Sequence, residues 1–217
     1  MFVGSDEFMT ENVVDNYGWA APTPTHSAGY ITPAILAILT ALGARKVVDI
    51  GSGNGGLCGS MQAAGFETYG IEYDENGVRI SRQAYPALRF YRRGVQDDAA
   101  DIIAAERLAD AVVSTEVIEH LFAPHLLPRF ARVLVKSGGH LIITTPYHGY
   151  LKNLGLVVAG QWDRHHHALW HGGHIKFWSR ATLTQLLQDN GFTVIGFRGV
   201  GRLPWLWKSM VLIARAE

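Results

Sequence analysis

From Lys46 onward the chain alternates short, almost wholly apolar segments with segments of helical period, and this alternation limits the fold more than any other feature. "KVVDIGSG" reads as a buried strand running into glycines, "LCGSMQAAG" as a helix stopped at Gly65, and "ETYGIEYD" as a second strand. The helix "NGVRISRQAY", the short strand "RFYRRG", the helix "DIIAAERLA" and the strand "DAVVSTEV" follow. After them come an amphipathic helix in "PHLLPRFARVLV", the strand "GGHLIITTP" and the helix "RATLTQLLQDNG" with its glycine stop. "FTVIGFRGVG" and "KSMVLIARA" close the chain as two strands with a short connection. Strands apolar on both faces need cover on both faces. The pattern therefore predicts an α/β fold with an open, mostly parallel sheet, helices on both sides and a C-terminal hairpin that adds an antiparallel strand.

At 217 residues the chain supports one sizeable core, and we read residues 1–217 as a single domain. Residues 1–44 form an N-terminal cap whose one clear helix is 31–42, with Pro33 near its start. Residues 147–176 show no clear period. An insertion of that length is usually a functional lid, and here it follows a strand, at the sheet edge where open α/β folds bind ligands. Six histidines crowd into it: His148, His165, His166, His167, His171 and His174.

Lys plus Arg and Asp plus Glu both number 19, and this balance disfavours a nucleic acid held by counterion release. The lone Cys58 excludes a disulfide framework and a cysteine-rich zinc knuckle and reads as a small packing residue. No apolar run approaches the roughly 18 residues of a membrane span, and "MFVGSDEFMTEN" lacks a signal-peptide layout. A cytoplasmic location is the expectation.

"VVDIGSGNGG" places Gly51, Gly53, Gly55 and Gly56 directly after the first strand, where glycines permit a tight turn and close backbone approach to a ligand. The loose match to a dinucleotide fingerprint is weak on its own. Asp49 sits two residues before the first glycine, where it would repel a pyrophosphate, and Glu72 ends the second strand within reach of two ribose hydroxyls. An acidic pair suits a cofactor with a positive sulfonium and an ammonium better than a diphosphate, and so argues against a nicotinamide-dependent dehydrogenase.

With these motifs in order, the sequence resembles the class I S-adenosylmethionine (SAM) dependent methyltransferases along nearly its whole length. The resemblance rests on "VVDIGSGNG", "GIEYD", "DAVVSTEVIEHL", "LVKSGGHLIITTP" and the closing strand pair. It implies a Rossmann-like sheet and a cofactor site drawn from Asp49, Gly51, Ser52, Gly53, Gly55, Glu72, Tyr73, Gln96, Asp97 and Thr115. Glu72 would hold the ribose, and Asp97 or Asp98 the adenine.

"STEVIEHLFAP" carries Glu116, Glu119 and His120 at spacings that share one face of a helix. Such a face is either a divalent-metal site or an acidic helix start that offsets the dipole. The segment is similar to two metal-using branches of the family, the ubiquinone-pathway O-methyltransferases and the small-RNA 2′-O-methyltransferases. The second branch also has a histidine in a segment like "HIKFW", here His174 to Trp178. The resemblance thus implies a metal held by Glu116, Glu119, His120 and His174, with Mg, Mn or Zn as candidates. His120, His148 and His174 are the candidate catalytic histidines, and a metal-free N-, C- or O-methyltransferase with His148 or His120 as base is the rival. His148 is equally read as a loop histidine bonded to backbone, and His26 sits in the region that caps the cofactor in this family. The expected acceptor is a small molecule with aromatic or vicinal hydroxyls, under a lid rich in Trp162, Trp170, Phe177 and Trp178. RNA 2′-O-methylation is a second rival, disfavoured by the neutral charge. The His165–His167 run reads as solvated or as part of a separate metal site.

Overall fold

The computed structural model describes residues 18–19, 21–23, 25–166, 169 and 172–217. Seven strands form one sheet: β1 (Lys46–Ile50), β2 (Glu67–Glu72), β3 (Arg89–Arg92), β4 (Ala109–Thr115), β5 (Val135–Pro146), β6 (Phe192–Val200) and β7 (Ser209–Ala216). Their order is β3-β2-β1-β4-β5-β7-β6. The first five pair in parallel, and β7 runs antiparallel between β5 and β6. The expected α/β sheet with its antiparallel C-terminal strand is thus present.

Alternation along each strand splits the core in two. Val47 belongs to a cluster under α1 (Ala28–Ala41), α2 (Gly56–Ala63) and α3 (Glu75–Ala84), built on Ile31, Ile35, Leu39, Cys58, Met61 and Val78. Its neighbour Val48 belongs to the cluster on the other face. There α4 (Ala100–Glu106), α5 (Leu126–Leu134) and α8 (Arg180–Gln188) contribute Ile102, Leu127, Phe130, Leu134, Leu183 and Leu187. Full burial of each such side chain stabilises by about 1.5–3 kcal/mol.

The structure corrects three element readings. The first helix begins at Ala28, so Pro33 lies inside it; the N–H it lacks would have gone to Gly29, which is exposed. Strand β5 starts at Val135 rather than Gly138, because Val135 pairs with Ala109 and pairing resumes only at Ala111–His140. The region 147–176 holds two helices, α6 (Tyr150–Val158) and α7 (Trp162–His165). In α6 Leu151, Leu154, Val157 and Val158 are exposed and the buried residue is Lys152, so no ordinary apolar stripe marks it. His167, Trp170, His171 and the arm 1–17 lie outside the described residues.

Candidate functional site

In strand order the chain moves outward from β1 to β3, then returns to place β4 on the other side of β1. Such a reversal opens a crevice at the carboxyl ends of the strands. The loops after β1, β2 and β4 meet there around a cavity of about 1010 Å³. This is at the upper end of the roughly 300–1,000 Å³ usual for small-molecule sites.

Gly51 and Gly53 turn the chain at φ +77° and +53°. A β-carbon on Gly51 would collide with Val117, and one on Gly53 with Trp19. The amides of Gly51 and Ser52 donate to the Ile71 carbonyl at 2.8 and 3.1 Å, which pins the loop to β2. Glu72 accepts from the amides of Gly53 at 2.7 Å and Asp74 at 2.8 Å. Asn54 donates its side-chain amide to the carbonyls of Ala21 and Thr23, so the N-terminal segment lies across the glycine loop.

Asp49, Gly51, Ser52, Glu72, Tyr73, Gln96 and Thr115 all line the cavity. Gly53 and Gly55 shape the turn without lining it. Asp97 departs from expectation: it closes its own turn by accepting the Gly94 amide at 2.7 Å, and Gln96 faces the cavity instead. Asp49 is 1% exposed, with Oδ1 unpartnered and Oδ2 receiving the Cys58 thiol at 3.6 Å. Cys58 is therefore a donor as well as a packing residue. Burial lifts the Asp49 pKa to about 7, with Glu72 adding to the rise and the Cys58 hydrogen bond opposing it. Glu72 is raised by burial as well. Among the described residues neither of these two buried carboxylates makes an ion pair. Sequence reasoning missed Trp19 and Arg93 as lining residues, and neither carried a signal; Asn54 lines the cavity from within the glycine loop 49–56.

The segment after β4 is not the regular helix its spacing suggested. Glu116 stands at φ +55°, in the left-handed region that costs a non-glycine residue of order 1–3 kcal/mol, and Ile118–His120 form a single 3₁₀ turn. Glu119 is 0% exposed; its Oε2 accepts from Thr145 at 3.0 Å and its Oε1 has no hydrogen-bond partner. His174 Nε2 lies 3.9 Å from that oxygen. The amides of Ile175 and Lys176 donate to the Glu119 carbonyl, which brings His174 in from the lid. His120 Nδ1 donates to the carbonyls of Gly172 (2.7 Å) and Gly173 (3.2 Å), a bond that fixes the tautomer and leaves Nε2 the lone-pair nitrogen.

One donor atom each of Glu119, His120 and His174 lies within 4.8 Å of the other two. The structure does not bring Glu116 into that group. Its oxygens accept from Thr144 at 2.9 Å and Ser209 at 3.1 Å, on the sheet side of the turn. Burial raises both carboxyls, that of Glu116 to about 7, and lowers both imidazoles, that of His174 to about 4. Two neutral imidazoles beside a buried carboxylate oxygen without a partner form a donor set suited to a divalent ion.

His148 lies elsewhere. It is 9% exposed, packs against His165, His166 and Phe177, and does not line the cavity. Burial first, then Lys152 and the neighbouring histidines, hold its pKa down at about 3, which leaves it a weak proton acceptor near neutral pH. Neither ring nitrogen bonds to backbone. His26 is exposed and does not line the cavity. Trp178 packs on the core, whereas Trp162 and Phe177 are exposed. Trp207 packs between Tyr147 and Phe197, and Trp205 is exposed.

Residues 25–196 match the family described as a methyltransferase domain. The chain is 35% identical over 126 residues to a ubiquinone biosynthesis O-methyltransferase of Ralstonia nicotianae, covering 55% of this chain and 50% of that one. It is 28% identical over 175 residues to the protein of the same name from Cupriavidus pinatubonensis, covering 76% and 67%. The matches thus span half to two thirds of those relatives' length. Among solved structures, the magnesium protoporphyrin IX methyltransferase of Synechocystis PCC 6803, with SAH bound, superimposes with a TM-score of 0.63 at 21% identity, covering 86% of this chain and 82% of that one. At such identity the likeness is one of fold.

Proposed function

This chain belongs to the class I SAM-dependent methyltransferases, and from that membership we propose that it methylates an oxygen of a small acceptor bearing aromatic or vicinal hydroxyls, assisted by a divalent ion. What carries the reading is the unpartnered, fully buried Oε1 of Glu119 beside His120 and His174. The O-methyltransferase names of the relatives support the choice of oxygen.

Asp49 and Glu72 are assigned to the cofactor. The Asp49 carboxylate, with its free Oδ1, meets the positively charged methionine part, and Glu72 keeps acceptor capacity for ribose hydroxyls while its two amide bonds hold it still. SAM, when bound, brings a methyl group already activated by its positive sulfur, so the protein's main task is to align an oxygen with it. Thr115, Glu116 and His120 stand where the cavity meets the histidine-bearing turn, on the side from which an acceptor would approach.

Glu119, His120 and His174 would hold the ion, with Thr145 and the Gly172–Gly173 carbonyls fixing the orientation of the first two. Bound there, a divalent ion supplies a template for adjacent oxygens and lowers the pKa of a hydroxyl. Glu116 joins as a fourth ligand only by turning away from Thr144 and Ser209; its negative charge already acts on Glu119. The mixed nitrogen and oxygen set favours Mn or Zn over Mg.

The test is calorimetric titration of Mn into protein saturated with S-adenosylhomocysteine. One equivalent is expected, lost in His174→Ala and in Glu119→Gln. An absence of binding to the unaltered protein would overturn the metal-assisted reading while leaving the family assignment intact.

A further inference from the structure

We infer that His148, His165 and His166 form a second metal centre, distinct from the Glu119 cluster, that takes a zinc-class transition ion. One ring nitrogen from each lies within 4.8 Å of the other two. They come from two places in the chain: His148 follows β5, and the adjacent pair His165 and His166 forms the last residue of α7 and its cap.

The second observation is the state of the buried nitrogens. His148 Nδ1 and Nε2 and His166 Nε2 are all buried without a hydrogen-bond partner. A neutral imidazole carries one N–H and one lone pair. Leaving such a group buried and unsatisfied is unfavourable, and among the described residues neither His148 nitrogen has a hydrogen bond to offset it. An ion satisfies the inward-facing lone pairs together.

The surroundings suit such an ion. Phe177 packs edge-on against both His148 and His166, at 5.0 and 4.9 Å between ring centres, and Trp162 lies over His166 at 4.2 Å. These rings hold the imidazoles in place and limit water on one side. Three nitrogen ligands with no carboxylate select Zn, Co, Ni or Cu over Mg or Ca. A three-histidine set that leaves one position open is an established zinc arrangement. Lys152, whose Nζ donates to the Tyr147 carbonyl, is the positive charge that acts on His148 among the described residues. The ion would fasten α7 to the end of β5 and so set the position of the lid beside the catalytic cavity.

The experiment is equilibrium dialysis of the full chain against zinc, with bound metal counted by plasma mass spectrometry. It compares the unaltered protein, His165→Ala/His166→Ala and Glu119→Gln/His174→Ala. Circular dichroism and thermal melting verify the fold; His165 is exposed and His166 half-buried, so the first pair leaves the core intact. Two equivalents are expected in the unaltered protein, with one lost in each double variant, and His148→Gln should behave like the first pair. A single equivalent lost only with His165 and His166 would uphold this centre and sink the ion of the proposed activity. Zinc content unchanged in His165→Ala/His166→Ala, a single equivalent in the unaltered protein that disappears in both double variants, or no zinc at all would overturn it.

Discussion

Thr145 touches neither cofactor cavity nor solvent, yet its hydroxyl holds the Glu119 carboxylate at 3.0 Å and so decides where the remaining oxygen points. Loss of such a supporting bond typically weakens ion binding about 10–100-fold. Thr145→Val should lower Mn affinity by that factor in calorimetry while SAM binding stays unchanged. Asp49 gives a pH signature. Its ordinary pKa is 3.8 and burial lifts it to about 7, so the fold without cofactor binds more protons than the unfolded chain between about pH 4 and 7. Stability of that state therefore falls as pH rises across this window, whereas affinity for a cationic cofactor rises as the carboxylate forms. Asp49→Asn should flatten both profiles and reduce SAM affinity about 10–100-fold, the worth of a charged hydrogen bond; melting and binding measured from pH 5 to 8 would check it. At this scale the sequence made placement legible: Asp49 and Glu72 line the cavity, and Glu119 meets His120 and His174. It was silent at Trp19 and at the meeting of His148 with His165 and His166, which only the folded lid brings about.

Elements were legible where packing follows one period. Strands β1, β2 and β4 are buried on both faces and read as continuous apolar runs; α5 presents one clean stripe. The turn Ile118–His120 and helix α6 defeated the same reading for opposite reasons. The turn is bent by the positive φ of Glu116, and α6 shows its apolar side to solvent while burying Lys152. The cap of α3 ties element to site. Asp74 accepts from the amides of Asn76 and Gly77, and its own amide holds Glu72. Asp74→Ala should cost about 1 kcal/mol in urea unfolding. The same variant should weaken SAM binding, because the strand end that carries Glu72 loosens with the cap.

The whole molecule is a sheet with two separate cores, and that division predicts how damage adds. Ile35 lies in one core and Leu127 in the other, both fully buried. Truncating either to alanine should cost about 2–5 kcal/mol. Because the sheet stands between them, the two losses should add within about 0.5 kcal/mol in the double variant, as urea denaturation would measure. This architecture was legible because strand and helix alternate almost without interruption up to β5. No helix among the described residues is long and apolar enough to cross a membrane.

The placement of β7 has a consequence for biosynthesis. It comes after the other six strands of the sheet in chain order, yet it sits between β5 and β6 rather than at an edge, and it pairs with β5 from Ser209 through Arg215. A nascent chain that has emerged only as far as β6 leaves β5 with a bare edge in the middle of the future sheet. Unpaired edges of that kind recruit other chains. A ribosome stalled before residue 209 would therefore present a sticky intermediate, closed only when β7 enters between its two neighbours.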